Sequence, residues 1–158
     1  MHGDFHLGQV LVSSGDAYII DFEGEPVRPL EHRRAKSSPL RDVAGLLRSF
    51  DYAIAAAASR AEGPAQNAPR KGTVLDQFAT NASEAFLAAY GERHAESPRP
   101  WATEESRQAL IDLFVIEKAA YEICYEAANR PAWIEIPLHG LARLVARLAD
   151  PVMEAADG

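Results

Sequence analysis

Two short polar motifs in the first 25 residues carry side chains suited to phosphoryl transfer. "HGDFHLGQ" at residues 2–9 places Asp4 five positions before Gln9, and "IIDFEGE" at residues 19–25 contains Asp21. Transfer from a nucleotide needs a carboxylate that takes the acceptor's proton and oxygen ligands that hold divalent cations. Asp4 fits the first role, and Gln9 and Asp21 fit the second.

The segment between the motifs predicts a β-hairpin that brings them together. Residues 10–22, "VLVSSGDAYIIDF", form two short runs of β-branched and aromatic residues around Ser-Ser-Gly-Asp. This composition is typical of two strands joined by a tight turn. The hairpin would fold the second motif back beside the first.

The remainder of the chain predicts helices. Apolar residues recur every three or four positions after Ser38-Pro39, which supplies a helix start. A second helix is expected from a Thr73 cap to Gly91, a third over Thr103 to Asn129, and a fourth from Pro137 to just before Asp150. Residues 23–38 and 60–72 read as irregular. We therefore predict one domain over 1–158, mainly α (α+β), with a helical subdomain over 38–150.

Composition narrows the class of protein. Of the 158 residues 47% are hydrophobic and 25% charged, as expected for a globular domain. A net charge of −7 with scattered basic residues argues against nucleic acid as a partner. No apolar run approaches the roughly 20 residues that span a bilayer, so no membrane partner is expected. Cys124 is the only cysteine, which excludes an intramolecular disulfide and favours a reducing, cytoplasmic location.

The two motifs together resemble a known family. "HGDFHLGQ" followed by "IDFEGEP" is similar to the catalytic and metal motifs of aminoglycoside-phosphotransferase-like kinases, which share the protein-kinase fold. That family usually has asparagine where Gln9 stands here. With "EHRRAKSSPLRDVAGLLRSFDYA" and "EKAAYEICYEAANRPAWIEIPLHGL", the chain resembles maltokinases over nearly its whole length, including those fused to trehalose synthase.

The resemblance implies a fold and a reaction. The fold would be the C-terminal lobe of a kinase, a short β-hairpin plus a helical bundle, with the catalytic loop at 2–9 and the metal motif at 20–25. Asp4 would be the base acting on the anomeric hydroxyl of maltose, and Gln9 and Asp21 would bind Mg²⁺, with Glu23 as a further ligand. ATP and maltose would give ADP and maltose 1-phosphate.

Other residues take supporting or substrate roles in this interpretation. The resemblance makes Asp42 a helix residue that holds the catalytic loop by its backbone, and His2 is expected to pack and hydrogen-bond in the same loop. It also places Tyr121 and Tyr125 in the maltose site. His6 and Arg130 either face the substrate or serve the loop and the helix end.

Glu117 lies in the middle of an apolar stripe of the third helix at about 100° per residue. The stripe also contains Leu110, Leu113, Tyr121 and Cys124. An unpaired buried carboxylate is unfavourable, so Glu117 is either a core residue paired with arginine or a polar group facing the sugar cleft. Cys124 is expected to be a small buried hydrophobe on this stripe.

Kinases of this fold bind ATP between two lobes, and little sequence precedes Asp4. We therefore expect a C-terminal lobe with the N-terminal lobe absent, as a short gene product or a truncation, with little or no activity alone. Apolar surface that meets the absent lobe should be exposed and able to associate. A trehalose synthase, fused or in complex, would be a partner of the full-length protein.

Three alternatives stay open from the sequence. His2, Asp4 and His6 could form a hydrolytic metal cluster, although no further histidine has suitable spacing. The acceptor could be another hydroxylated small molecule such as an aminoglycoside. The chain could also be a non-catalytic helical module for binding or oligomerisation, against which the intact set of Asp4, Gln9 and Asp21 argues.

Overall fold

The structure is a computed structural model that describes residues 1–26, 28–60, 68–95 and 103–154. Over these ranges a two-stranded hairpin is followed by five helices. The strands are β1 (Val10–Ser13) and β2 (Asp16–Ile19), and the helices are α1 (Leu30–Arg34), α2 (Leu40–Arg60), α3 (Ala68–Ala95), α4 (Glu104–Asn129) and α5 (Glu135–Glu154). Two 3-10 turns, Leu7–Gln9 and Pro131–Trp133, precede β1 and α5. A mainly helical chain with one hairpin is the predicted class.

The predicted hairpin is confirmed. Strands β1 and β2 are antiparallel, with Val10 opposite Ile19 and Ser13 opposite Asp16. Ser14 and Gly15 connect them with φ of 53° and 87°, the left-handed conformation that a two-residue hairpin turn requires. The pairing brings the residues that follow β2 next to the loop that precedes β1.

Helix α2 is the centre of the molecule. It begins close to the predicted Ser-Pro start, where the Ser38 hydroxyl accepts a hydrogen bond from the Leu40 N–H at 3.3 Å. It packs against α3, α4 and α5. Its Leu40 and Val43 form the buried core with Ile111 of α4. The 3-10 turn at Leu7–Gln9 also contacts this helix.

Several predicted helix boundaries are wrong. Helix α1 lies inside the segment expected to be irregular, and α3 begins at Ala68, before the expected Thr73 cap. It also continues past Gly91, which is therefore not a stop. Residues 61–67 of the predicted loop lie outside the described residues.

The last helix also differs from its prediction. Helix α5 starts at Glu135 and runs beyond Pro151. Pro137 falls in its first turn, where the missing N–H has no helical partner to lose. In the described chain, no helix is long and apolar enough to cross a bilayer.

The buried face of α4 is not the predicted apolar stripe. Leu113 is 54% exposed and Cys124 is exposed, so the prediction of a buried cysteine is wrong. The buried residues of α4 are Ile111, Asp112, Ala119, Glu122 and Glu126. Three of them are acidic, and each is paired with arginine. Because these carboxylates are paired, α4 buries a partly charged face and leaves the more apolar one exposed.

Candidate functional site

The loop at residues 2–9 is anchored on α2 by its backbone. The Asp42 carboxylate accepts hydrogen bonds from the His2 N–H at 2.5 Å and the Gly3 N–H at 2.8 Å. Further along the loop, the Leu7 N–H donates to the Ser49 hydroxyl at 3.1 Å. Two points of attachment, at Asp42 and Ser49, fix the loop on the most heavily packed helix.

Gly45 lets this loop approach α2 closely. A Cβ built at Gly45 would lie 2.5 Å from the Phe5 carbonyl oxygen, well inside van der Waals contact. The neighbouring atom is backbone, which cannot rotate away as a side-chain tip can. Gly45 is therefore required by the distance between the loop and the helix.

His2 connects the two motifs. Its side chain is buried, and its Nδ1 accepts a hydrogen bond from the Asp4 N–H at 3.3 Å. The proton therefore resides on Nε2, which donates to the Ile20 carbonyl at 2.7 Å. The ring also contacts Phe5 and Phe22. These contacts give His2 a supporting position between the loop and the end of β2.

Gln9 and Asp21 meet at the ends of the hairpin. The Gln9 amide donates to Asp21 Oδ2 at 3.0 Å, and Asp21 has a φ of 64°. A non-glycine residue in this left-handed region is uncommon and is often found at functional sites. The carboxylate and the amide oxygen are hard ligands of the kind Mg²⁺ prefers. The structure brings these two predicted cation ligands together.

Glu23 is less closely associated with this pair. Its side chain is exposed, and no hydrogen bond among the described residues joins its carboxylate to Gln9 or Asp21. Its backbone carbonyl accepts a hydrogen bond from Arg33 at 3.1 Å. Within the described ranges, no group of three or more His, Cys, Asp or Glu side chains could hold a metal ion, which leaves the His2/Asp4/His6 cluster without support.

Asp4 lies against Glu25 and Lys118. Glu25 lies close enough to Asp4 for their charges to interact, and Lys118 Nζ lies 3.9 Å from Asp4 Oδ1. Burial raises the pKa of Glu25, and the Asp4 carboxylate raises it further, while Lys118 and Arg28 act in the opposite direction. Glu25 follows Gly24, whose φ of 76° turns the chain back toward the loop.

Two cavities open on either side of Asp4. The first, of about 320 Å³, extends toward Arg28, Lys36 and Arg41. The second, of about 590 Å³, extends between the loop, α2 and α4 toward Tyr125 and Arg130. The residues that line both are Asp4, Glu25, Gly45, Lys118 and Tyr121. Asp4 is therefore accessible from two directions.

The far wall of the second cavity is built around a buried carboxylate. Glu126 is 1% exposed, and Arg130 binds both of its oxygens, at 2.6 and 2.9 Å. The Tyr52 hydroxyl donates to it at 3.0 Å. The guanidinium of Arg130 lies 5.4 Å from the ring centroids of both Tyr125 and Trp133. Aromatic faces beside fixed polar groups suit a sugar, whose rings have apolar faces and hydroxyl edges.

Burial and hydrogen bonding to Glu126 shift the pKa values of two residues in this wall. It raises the pKa of Tyr52 well above its ordinary value, with the negative charges of Glu122 and Glu126 adding to the effect. The hydrogen bond to Glu126 raises the pKa of Arg130. Tyr52 therefore stays neutral and Arg130 stays charged at physiological pH.

Glu122 lines the floor of the second cavity, and the buried Arg48 of α2 pairs with it. Arg48 is 2% exposed and donates from Nε to Glu122 at 2.9 Å, and it also pairs with Asp51, which in turn pairs with Arg143. Burial raises the pKa of Glu122, while Arg48 lowers it. A chain of alternating charges thus connects the second cavity to α5.

The remaining predicted substrate residues are distributed over both cavities. Glu117 pairs with Arg41 at 2.6 Å, is half exposed and lines the first cavity, so it is a paired glutamate but not a core one. Tyr121 lines both cavities, and burial raises the pKa of its hydroxyl. Tyr125 stacks near Tyr121 with ring centroids 6.3 Å apart. The His6 ring lines the second cavity and accepts from the Gly8 N–H at 3.1 Å.

Sequence reasoning missed two aromatic and four charged residues of the second cavity. The aromatic ones are Tyr52 and Trp133, and the charged ones are Glu25, Lys118, Glu122 and Glu126. The last three share a signal, because Lys118, Glu122 and Glu126 are four residues apart and so lie along one face of α4. A polar stripe at helical spacing could have indicated this wall.

Known proteins resemble this chain over most of its length. No protein-family model matches it. A glucosamine kinase from Mycolicibacterium smegmatis is 30% identical over 151 residues, which is 91% of this chain and 34% of that protein. A glucosamine kinase from Streptacidiphilus jiangxiensis is 42% identical over 52 residues, covering 33% of this chain and 12% of the relative.

Solved structures of glucosamine kinases are also similar to this chain. A glucosamine kinase in complex with glucosamine, ADP and inorganic phosphate superposes with a TM-score of 0.77 and 26% identity, over 96% of this chain and 36% of that one. A second glucosamine kinase structure has a TM-score of 0.76 and 26% identity, over 96% and 35%. The chain thus spans about a third of the length of glucosamine kinases, and its fold matches that part of them.

Proposed function

We propose that this chain carries the acceptor side of an ATP-dependent phosphotransferase that acts on a sugar hydroxyl. The observation that carries the proposal is the position of Asp4. It lies on a loop fixed to α2, with the Gln9–Asp21 pair at the other end of that loop and a cavity walled by tyrosine, tryptophan and arginine beside it. Similarity to glucosamine kinases supports the same reaction class.

In this proposal each group has one task. Asp4 accepts the proton of the attacking hydroxyl as the oxygen–phosphorus bond forms and the bond to ADP breaks. Gln9 and Asp21 would hold Mg²⁺, which when bound supplies positive charge to the phosphate oxygens. His2 and Asp42 hold the loop backbone so that the Asp4 carboxylate keeps its direction.

The finer proposal for the acceptor has two candidates. Maltose, giving maltose 1-phosphate, is supported by the resemblance of the motifs to maltokinases. Glucosamine is supported by the named relatives and by charge, because the described lining of the second cavity holds four carboxylates and two cationic side chains. The carboxylates are Asp4, Glu25, Glu122 and Glu126, and the cations are Lys118 and Arg130.

An acceptor comparison tests the proposal. Release of ADP is measured with ATP, Mg²⁺ and one acceptor at a time, for this chain and for any longer gene product that contains it. The acceptors are maltose, glucosamine, glucose and an aminoglycoside. We expect turnover with maltose or glucosamine, and a preference for glucosamine over glucose would indicate that the carboxylates recognise its ammonium group. Absence of acceptor-dependent turnover in every form would refute the proposal.

Calorimetry separates the enzyme from a non-catalytic helical module. We expect either sugar to bind in the second cavity, with binding weakened by Trp133→Ala. An exposed aromatic outside both cavities, Tyr18, provides the matched control as Tyr18→Ala. A module used only for oligomerisation would bind neither sugar nor nucleotide.

A further inference from the structure

Lys118 occupies a special position among the residues around Asp4. Five described residues line both cavities, and Lys118 is the one cation among them. It projects from α4 beside two neighbouring carboxylates, Asp4 and Glu25, which line the same two cavities. Two adjacent carboxylates repel unless a positive charge or a proton lies between them.

The ammonium group is held loosely in comparison with the other cations of the site. Lys118 Nζ lies 3.9 Å from Asp4 Oδ1 and 5.5 Å from the centre of the Tyr121 ring. Arg41 and Arg130, in contrast, bind carboxylates at 2.6 Å. No hydrogen bond from Lys118 Nζ to another described residue accompanies the ion pair with Asp4. The ammonium group of Lys118 is therefore attracted by the nearby negative charge without a hydrogen bond to one acceptor.

The surroundings favour one orientation of Asp4. The His2 ring fixes the Asp4 main chain by accepting its N–H, while Lys118 attracts Oδ1 from the side of α4. The charge of Glu25 acts on the same carboxylate. With Lys118 removed, Asp4 would keep no ion pair among the described residues, and repulsion by Glu25 would favour other rotamers of Asp4.

From this arrangement we infer that Lys118 is a positioning residue for Asp4. Its charge keeps the Asp4 carboxylate in place beside Glu25, at the point where the two cavities meet. The effect that we expect on turnover rests on the proposed function. The energetic coupling between Lys118 and Asp4 does not, and it can be measured without turnover.

A double-mutant cycle on this chain tests the geometric part. Thermal unfolding is compared for the unmodified chain, Lys118→Met, Asp4→Asn and the double variant. We expect Lys118→Met to lower the midpoint by about 2 °C more in the unmodified chain than in the chain that already carries Asp4→Asn. Equal shifts in both backgrounds would overturn the inference whether or not the protein is a kinase.

Turnover tests the consequence in whichever form is active. We expect Lys118→Met to lower kcat by about tenfold or more with the sugar KM within about threefold, because positioning acts on the reacting geometry. Lys118→Arg keeps the charge and should recover most of kcat. A Lys118→Met variant with unchanged kcat, or a Lys118→Arg variant that is equally impaired, would overturn the inference. If the unmodified protein has no turnover, the proposed function fails and the cycle alone decides on Lys118.

Discussion

Replacement of Arg48 by methionine is predicted to be the most damaging single change in the charged floor of the second cavity. The Arg48 side chain is 2% exposed, and its Nε and Nη2 lie 2.9 and 2.8 Å from Glu122 Oε2. Methionine keeps an unbranched apolar stem and removes the guanidinium. Asp51 would keep its ion pair with Arg143, whereas Glu122 would keep no ion pair among the described residues.

The size of the effect follows from burial. Removing one partner of a buried ion pair typically costs about 3–5 kcal/mol, because the other charge stays buried without compensation. For a chain of this length, 1 kcal/mol corresponds to about 2–4 °C in the unfolding midpoint. We therefore expect Arg48→Met to lower the midpoint by about 6–20 °C at pH 7.

The loss should depend on pH with a definite sign. Burial already raises the pKa of Glu122, and removal of Arg48 removes the group that lowers it. A folded state with a raised carboxyl pKa holds its proton longer than the unfolded state, so stability falls as the pH rises from the ordinary value through the raised one. The deficit of Arg48→Met should be largest at pH 7 and smaller at pH 5.

The assay is thermal unfolding followed by circular dichroism at both pH values. The double variant Arg48→Met/Glu122→Gln is the matched control, because it removes the uncompensated charge while keeping the shape. We expect it to recover part of the loss at pH 7 and to show a weaker pH dependence. A midpoint of Arg48→Met within about 3 °C of the unmodified chain, or no recovery in the double variant, would show that Glu122 does not depend on Arg48 for compensation.

Three further changes test other parts of the structure. Gly45→Ala should displace the loop at Phe5 and reduce sugar turnover by about tenfold or more while α2 remains folded, as measured by steady-state kinetics and circular dichroism. Asp42→Ala should remove two charge-assisted hydrogen bonds to the loop and reduce stability by about 3 kcal/mol in denaturant titration; a loss under about 1 kcal/mol would contradict the anchoring role. Thr103→Ala removes the cap that accepts from the Ser106 N–H at 3.1 Å, and should cost about 1 kcal/mol in the same titration with turnover unchanged.

Local sequence signals were sufficient for the hairpin and for the start of α2. Gly15 and the two runs of β-branched and aromatic residues around it indicate the hairpin, and Ser38-Pro39 indicates the start of α2. Both features depend on a few residues that are adjacent in the sequence, so they can be predicted from the sequence alone. The juxtaposition of Gln9 and Asp21 follows from the hairpin for the same reason.

The wall of the second cavity could not be predicted in this way because its stability depends on partners far along the chain. Glu122 and Glu126 are buried only because Arg48, Arg130 and Tyr52 compensate them. Hydrophobic periodicity counts such positions as polar and therefore assigns them to the surface.

The proposed role of Asp4 is to take the proton of a sugar hydroxyl as a phosphoryl group is transferred from ATP. This role is tested by following the reaction with ³¹P NMR in the presence of ATP, Mg²⁺ and the preferred sugar, for the unmodified protein and for Asp4→Asn. We expect one sugar phosphate resonance that grows with ADP, and a rate that falls by about 100-fold or more in Asp4→Asn with little change in sugar KM. Release of inorganic phosphate alone, or an Asp4→Asn rate within a few-fold of the unmodified protein, would contradict this role.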